Sequence, residues 1–206
     1  MQAVPNVVRE HWPEYLMEAA GLGLFMISAA VVTTLLEYPH SPLHGLFADQ
    51  ATRRLMIGLA MGATAIGLIY SPWGKRSGAH LNPAVTLTFY RLGKIGGIDA
   101  CSYVMAQFFG GALGLWLVSR AIGKAVEHPA VNYVVTTPGP AGSGTAFVAE
   151  ALISFGLMLV VLMVSNTKSL NAWTGCVAGA LVAAYIAIEA PLSGMSMNPA
   201  RSFASA

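Results

Sequence analysis

The sequence predicts an all-α membrane protein, because long apolar runs dominate the chain and two short stretches within it repeat each other. Hydrophobic residues make up 55% of the 206 residues and charged residues only 10%, so the chain is far more apolar than a soluble domain of this length. Five runs have about the length that crosses a bilayer as a helix. They cover approximately residues 15–36, 55–70, 100–119, 146–165 and 172–188.

The repeated stretches, residues 77–84 and 193–200, both read Ser-Gly-x-x-x-Asn-Pro-Ala. Asn followed by Pro predicts a helix start, because the Asn side chain caps free backbone N–H groups and Pro at the first helical position loses no hydrogen bond. After Asn82 the helix has room only from Pro83 to about Arg91, since glycines follow soon afterwards. Such a half-helix is roughly 14 Å long, about half the thickness of the hydrocarbon core.

The chain divides into two related halves. We expect a first repeat over residues 1–125, a loop rich in Pro and Gly over 126–144, and a second repeat over 145–206. Glu18 and Glu150 each begin a Glu-Ala pair within an apolar run of their own half. An odd number of spans per repeat reverses the orientation of the second copy. The two half-helices would therefore enter from opposite faces and meet near the midplane.

The paired boxes, with His80 two residues before the first Asn and Arg201 directly after the second Ala, resemble the signature of the aquaporin, or major intrinsic protein, family. The resemblance covers essentially the whole chain. It implies a right-handed bundle of inverted repeats, with five spanning helices and two half-helices that meet at the bilayer midplane. It also implies a passive channel, a homotetramer, and a multi-pass location in the cell membrane with the N-terminus in the cytoplasm.

The resemblance also assigns the residues of a pore. At the midplane they are Asn82, Pro83, Ala84, Asn198, Pro199 and Ala200. Two helix N-termini aimed at one point create a positive potential that repels cations and protons, while neutral water passes. The other use of such a positive site is anion binding, for which the predicted walls offer little beyond Arg201.

Arg201 lies in what should be the membrane, where an unpaired charge is functional by default. By resemblance it belongs to the narrowest filter, together with Met61, Ile186 and Met195. Water channels of the family usually carry a large aromatic residue and a His in the second and fifth spans, so this apolar filter indicates tolerance of small solutes. Its glycerol channels usually have Asp directly after the filter Arg, where this chain has Ser202. We expect water conduction with passage of small neutral solutes.

Glu18 and Glu150 are expected to accept hydrogen bonds from the backbone of the loop beside each of them, because lipid cannot satisfy those N–H groups. The family's matching Glu residues are used in that way. The alternative is a proton or ion relay. His80 is expected to tie the first loop to the cytoplasmic side. Glu189, at the end of the fifth run, is expected to reach the membrane interface by snorkelling.

Other classes of function find little support in the sequence. No nucleophile lies beside a base, and His80 has no second ligand at a helical spacing, so we expect no enzyme, no cofactor and no metal site. A net charge of +2 offers no basic surface for nucleic acid. The expected partners are the lipid bilayer, water, small neutral solutes and further copies of the chain.

The second half is shorter than the first. A further apolar run follows the Asn82 box, whereas only eight residues follow Asn198. The sixth span that symmetry and the family require is missing, so we expect a truncated or partial chain, or a partner that supplies the wall. The functional alternatives are a glycerol, metalloid or ammonia facilitator with little role in water flux, a coupled secondary transporter, and a non-conducting truncated subunit.

Overall fold

A computed structural model of the chain describes residues 4–206, and within that range the regular structure is helical and contains no β-strand. In chain order the α-helices are α1 (Val4–Glu37), α2 (Pro42–Leu46), α3 (Gln50–Tyr70), α4 (Pro72–Ser77), α5 (Pro83–Arg91), α6 (Gly97–Ile122), α7 (Lys124–Glu127), α8 (Gly142–Ser165), α9 (Thr174–Ser193) and α10 (Pro199–Ser205). Five of them, α1, α3, α6, α8 and α9, are long and apolar enough to cross a membrane. The chain is an all-α multi-pass membrane protein.

The five predicted runs are confirmed as helices, and several of the helices extend beyond the apolar residues. Helix α1 begins at Val4 and includes polar residues such as Arg9 and Glu10. Helix α3 begins earlier than predicted because Asp49 caps it, accepting a hydrogen bond of 2.7 Å from the backbone N–H of Thr52. Capping chemistry and membrane-flanking polar turns, which hydropathy does not detect, set these ends.

The long helices pair through small residues. Helix α1 crosses α6 where Gly23 faces Gly110 and Gly114, and α3 crosses α9 where Gly62 faces Gly179. A Cβ atom on Gly62 would lie 2.5 Å from the carbonyl oxygen of Gly179. Such close backbone approach requires glycine and is the usual way in which membrane helices pack. These glycines form the sequence pattern Gly-x-x-x-Gly in α3, α6 and α9.

Helix α8 has the smallest buried fraction of the five long helices. It packs against α9 and the 3₁₀ turn Asn171–Trp173. Large apolar side chains are exposed along most of its length: Phe147, Val148, Leu152, Phe155, Leu159 and Met163. This face is suited to lipid tails or to other apolar helices.

The half-helices lie on opposite sides of the midplane. We call the membrane face at which α1 begins the first face, and the face at which α1 ends the second face. Helices α1 and α3 bring the chain back to the first face before α5, so α5 points with its C-terminal end to the first face. The three passages α6, α8 and α9 then take the chain to the second face, to which α10 points. The N-termini of α5 and α10 therefore lie between the faces.

Candidate pore and selectivity site

Each half-helix begins at an asparagine that caps it. The Asn82 Oδ1 accepts a 2.8 Å bond from the Ala84 N–H. The Asn198 Oδ1 accepts bonds of 3.1 Å and 3.2 Å from the N–H groups of Ala200 and Arg201. Both caps have extended backbone and are followed by Pro at the first helical position. The local rule that predicted the helix starts therefore operates in both loops.

The two loops that lead into the half-helices have the same unusual backbone. Ala79 and Leu81 have φ of 48° and 50°, and Met195 and Met197 have φ of 52° and 54°. Non-glycine residues seldom occupy this region, and they persist there when surrounding structure holds them. The matching positions, 116 residues apart in the chain, make the repeat visible at the level of single torsion angles.

Four residues of the two loops have backbone carbonyls without a hydrogen-bond partner in the described range. Ala79, His80, Met195 and Ser196 line the central cavity. Their carbonyl oxygens accept no hydrogen bond from any residue of the described range 4–206. In a membrane, irregular backbone of this kind is tolerated where it lines a water-filled space. The four carbonyls are thus available to molecules in the cavity.

Glu18 is fully buried and holds the first loop. Its Oε1 accepts from the Ser77 hydroxyl at 2.7 Å and from the His80 N–H at 3.0 Å. Its Oε2 accepts from the Leu81 N–H at 2.6 Å and from the Gln107 side-chain amide at 2.8 Å. Four donors converge on one carboxylate, as expected where lipid can satisfy no backbone N–H group.

Glu150 makes the corresponding bonds in the second loop. It accepts from the Ser193 hydroxyl at 2.7 Å, from the Ser196 N–H at 2.6 Å and from the Met197 N–H at 2.7 Å. No side-chain amide of the described residues donates to Glu150 as Gln107 donates to Glu18. The hydroxyl and two N–H donors thus recur at equivalent positions of the repeat.

His80 is held on three sides. Its ring stacks on Phe89 with centroids 4.9 Å apart and meets the edge of Tyr103 at 5.2 Å. Its Nδ1 lies 3.1 Å from the Thr86 hydroxyl. Together with the bond from its backbone to Glu18, these contacts fix the loop against α5 and α6.

Sequence reasoning missed Gln107, Thr86 and the two loop serines. Gln107 is fully buried and donates both to Glu18 and to the Thr86 hydroxyl, the latter at 3.1 Å. The available signal was a lone amide inside an apolar run, because a buried polar side chain needs a partner. Ser77 and Ser193 could have been found as the first residues of the repeated stretches.

A cavity of about 800 Å³ runs beside both loops. The cavity is lined by Asn82 and Asn198 and by the four predicted filter residues, Met61, Ile186, Met195 and Arg201. The structure thus brings together positions that are far apart in the chain. Met61 and Met195 are almost fully buried, with exposed fractions of 3% and 6%. The Nη1 of Arg201 has no hydrogen-bond partner within the described chain.

Two charged side chains depart from the sequence-based expectation. Glu189 does not snorkel: it is 6% exposed, and both its carboxylate oxygens are buried without a partner among residues 4–206. The reason is that α9 continues to Ser193, which places Glu189 within the helix and not at its end. Arg54, which precedes the predicted run over residues 55–70, lies within α3 and lines the cavity.

Fold and site define a multi-pass helical membrane protein with a cavity between two inverted half-helices. A family model described as "Major intrinsic protein" matches residues 7–206. The chain belongs to the major intrinsic protein family, a family of passive membrane channels.

Several proteins are similar in sequence to the chain. The "Probable aquaporin AqpM" of Archaeoglobus fulgidus is 37% identical over 149 residues, which cover 71% of this chain and 60% of that protein. The "Glycerol uptake facilitator protein-like 6" of Lactiplantibacillus plantarum is 36% identical over 149 residues, covering 72% and 68%. The chain thus spans about three fifths of the length of the archaeal relative.

A solved structure shares the fold. The "X-ray structure of the aquaglyceroporin from Plasmodium falciparum" superposes with a TM-score of 0.75 at 22% identity, over 95% of this chain and 79% of that one. The predicted aquaporin-like fold is confirmed.

Proposed function

We propose that the protein is a passive channel that conducts water and small uncharged solutes and excludes protons and ions. The observation that carries this proposal is one cavity that is lined by both capping asparagines and by Arg201. No carboxylate of the described residues lines that cavity. A lumen with positive character and no acidic group disfavours cations and leaves neutral molecules free to pass.

The midplane offers donors and acceptors in separate places. Each asparagine uses one Nδ2 hydrogen to bond the opposite loop, and its second Nδ2 hydrogen has no partner within the described chain. The unpaired carbonyls of the two loops supply acceptors on either side of the asparagines. A water molecule that accepts from the asparagines at the centre cannot relay a proton through that point, which supports proton exclusion.

The filter would determine which solutes pass. Met61, Ile186 and Met195 present an apolar wall, and Arg201 presents the polar side. An apolar wall is compatible with molecules that carry CH groups, which favours small neutral solutes in addition to water. Methionine side chains adapt their shape, so the width of this wall can adjust to the solute.

We extend the proposal to location and assembly. The protein would lie in the cell membrane with its N-terminus in the cytoplasm, so that the first face is cytoplasmic. It would assemble as a homotetramer with one pore in each subunit. The exposed apolar face of α8 supports burial against lipid or other helices. Chemical cross-linking of the protein in membranes would test the tetramer.

Osmotic shrinkage of liposomes that contain the purified protein tests the function. The external osmolyte is first an impermeant sugar and then glycerol, and light scattering follows the volume. We expect the liposomes to shrink fast with both osmolytes and to swell again only with glycerol. Fast shrinkage without reswelling would restrict the pore to water, and rates equal to those of empty liposomes would contradict conduction.

The same liposomes distinguish a coupled transporter. The buried carboxylates Glu18 and Glu150 accept several hydrogen bonds each, which supports a static role in the loops. We therefore expect solute flux that rises linearly with concentration and does not depend on a gradient of protons or sodium. Saturation together with dependence on such a gradient would favour transport by alternating access.

A further inference from the structure

Two adjacent arginines near the start of α3 have opposite surroundings. The Arg53 Nε pairs with the Glu37 carboxylate at 3.0 Å, and its Nη1 donates to the carbonyls of Phe47 and Ala48 at 2.8 Å and 2.9 Å. Arg54 forms no ion pair with a described residue, and its Nε is buried without a partner. Arg53 thus has a structural explanation and Arg54 has none.

The position of Arg54 is set by the helix. The α3 residues that line the cavity recur every three or four positions: Arg54, Ile57, Met61, Ala65 and Ile69. This spacing puts them on one face of the helix. Arg54 is seven residues before Met61, which places it about 10 Å nearer the second face along the helix axis. It therefore lies in the mouth of the cavity, beyond the filter.

Arg201 lines the same cavity, and its Nη1 is likewise buried without a partner in the described chain. The cavity thus receives two guanidinium groups, each with an unused N–H donor, and no carboxylate. The neighbouring wall of the mouth consists of apolar residues from the connecting segment, Ala130, Val131, Val134 and Val135. A charge in such surroundings is retained for a function when no protein group neutralises it.

Guanidinium groups recognise oxyanions in particular, because their planar N–H donors match the spacing of carboxylate, sulfate and phosphate oxygens. We propose that Arg54 binds a small oxyanion in the second-face mouth of the cavity, and that Arg201, deeper in the same cavity, adds to the positive potential there. A bound oxyanion would narrow the part of the cavity through which neutral solutes reach Arg201. The inference rests on the proposed channel for its consequence in flux, although the binding itself does not require conduction.

The test measures binding to the full chain in detergent, where conduction plays no part. The thermal unfolding midpoint is followed by intrinsic fluorescence during titration with low-millimolar sodium sulfate, with ionic strength held constant by sodium chloride. A ligand that binds only the folded state raises the midpoint in a concentration-dependent way, which yields the Kd. Holding sulfate in the low-millimolar range limits its general stabilising effect as an excluded salt.

Arg54→Gln is the test variant, and Arg120→Gln is its matched control. Arg120 is in the last turn of α6, exposed and outside the cavity lining. We expect sulfate to stabilise the wild type and Arg120→Gln equally, and Arg54→Gln to bind about tenfold more weakly or worse. If Arg54→Gln does not fold, Arg54→Lys supplies the comparison with a smaller loss, since it retains the charge without the Nε donor.

Equal stabilisation of wild type, Arg54→Gln and Arg120→Gln would overturn the proposal, as would a wild type that sulfate does not stabilise. Liposome flux separates this outcome from failure of the channel. Fast water flux without sulfate binding removes the anion site and leaves the channel in place. Arg54-dependent sulfate binding without flux removes the channel and leaves the anion site.

Discussion

Asn82 and Asn198 each donate a hydrogen bond to the loop that carries the other. The Asn82 Nδ2 bonds the Met197 carbonyl at 2.7 Å, and the Asn198 Nδ2 bonds the Leu81 carbonyl at 2.8 Å. Each asparagine therefore caps its own half-helix and fastens the opposite half of the protein. The capping role follows from sequence rules, whereas the reciprocal bonds require both loops to be in place.

The reciprocal bonds predict an energetic coupling. Asn82→Ala and Asn198→Ala should each lower the stability of the folded protein by about 1–3 kcal/mol, through loss of a cap and a buried hydrogen bond. The double variant should lose less than the sum, because either change loosens the same contact between the loops. Unfolding in mild detergent by titrated dodecyl sulfate measures the three values. Strict additivity would show that the two bonds act independently.

Glu18→Gln tests the support of the first loop. A glutamine offers one acceptor oxygen where the carboxylate accepts four bonds, and its NH₂ would face other donors. We expect a loss of about 2 kcal/mol in the same unfolding assay. Glu14→Gln is the control, because Glu14 pairs with an Arg76 side chain that is 55% exposed, and such pairs contribute about 0–1 kcal/mol. Equal effects of the two substitutions would contradict the proposed role of Glu18.

The crossing of α3 and α9 gives a matched pair of glycine substitutions. A Cβ on Gly62 would lie 2.5 Å from the Gly179 carbonyl oxygen, whereas a Cβ on Gly67 would meet nothing within 4 Å. Gly62→Ala should destabilise the protein by about 1–3 kcal/mol through overpacking. Gly67→Ala should be neutral or stabilising by up to about 1 kcal/mol, because alanine favours the helix. Equal midpoints for the two variants would argue against this close crossing.

Met61→Phe tests the filter. A larger, stiffer side chain at this buried position should narrow the cavity and reduce glycerol reswelling about tenfold, with a smaller effect on water. Met105→Phe is the control, because Met105 is 68% exposed on the outer surface of α6. A variant at Met61 that leaves glycerol flux unchanged would remove this residue from the filter.

The cap of α3 predicts a pH dependence. Hydrogen bonds from the Thr52 hydroxyl and backbone N–H lower the pKa of Asp49 below its ordinary value. A carboxyl whose pKa is lowered by folding stabilises the protein above its unfolded pKa of about 3.9, and this contribution disappears as the pH falls through the folded pKa. Asp49→Ala should therefore unfold at a lower temperature than wild type at neutral pH. The difference should vanish in strong acid, and a difference that persists there would exclude the charge as its cause.

The sequence predicts the spans, the half-helix starts and the inverted repeat because all three depend on local rules. Hydropathy locates α6 and α8, and Asn-Pro locates α5 and α10. The sequence did not predict that Glu189 is buried, because the end of α9 depends on where the chain turns toward the second loop. Nor did it predict that Arg53 forms an ion pair whereas Arg54 forms none with a described residue, since the pairing of Arg53 with Glu37 depends on the approach of α1 to α3.

The bond between Asn82 and Met197 joins residues 115 positions apart. At the usual speed of protein synthesis, about 5–20 residues per second, Met197 is made roughly 6–23 s after Asn82. Throughout that interval the first loop has only the contacts of its own half. Its final form must therefore wait for the second half to insert, and the cellular insertion machinery has to shelter the unfinished loop from lipid in the meantime.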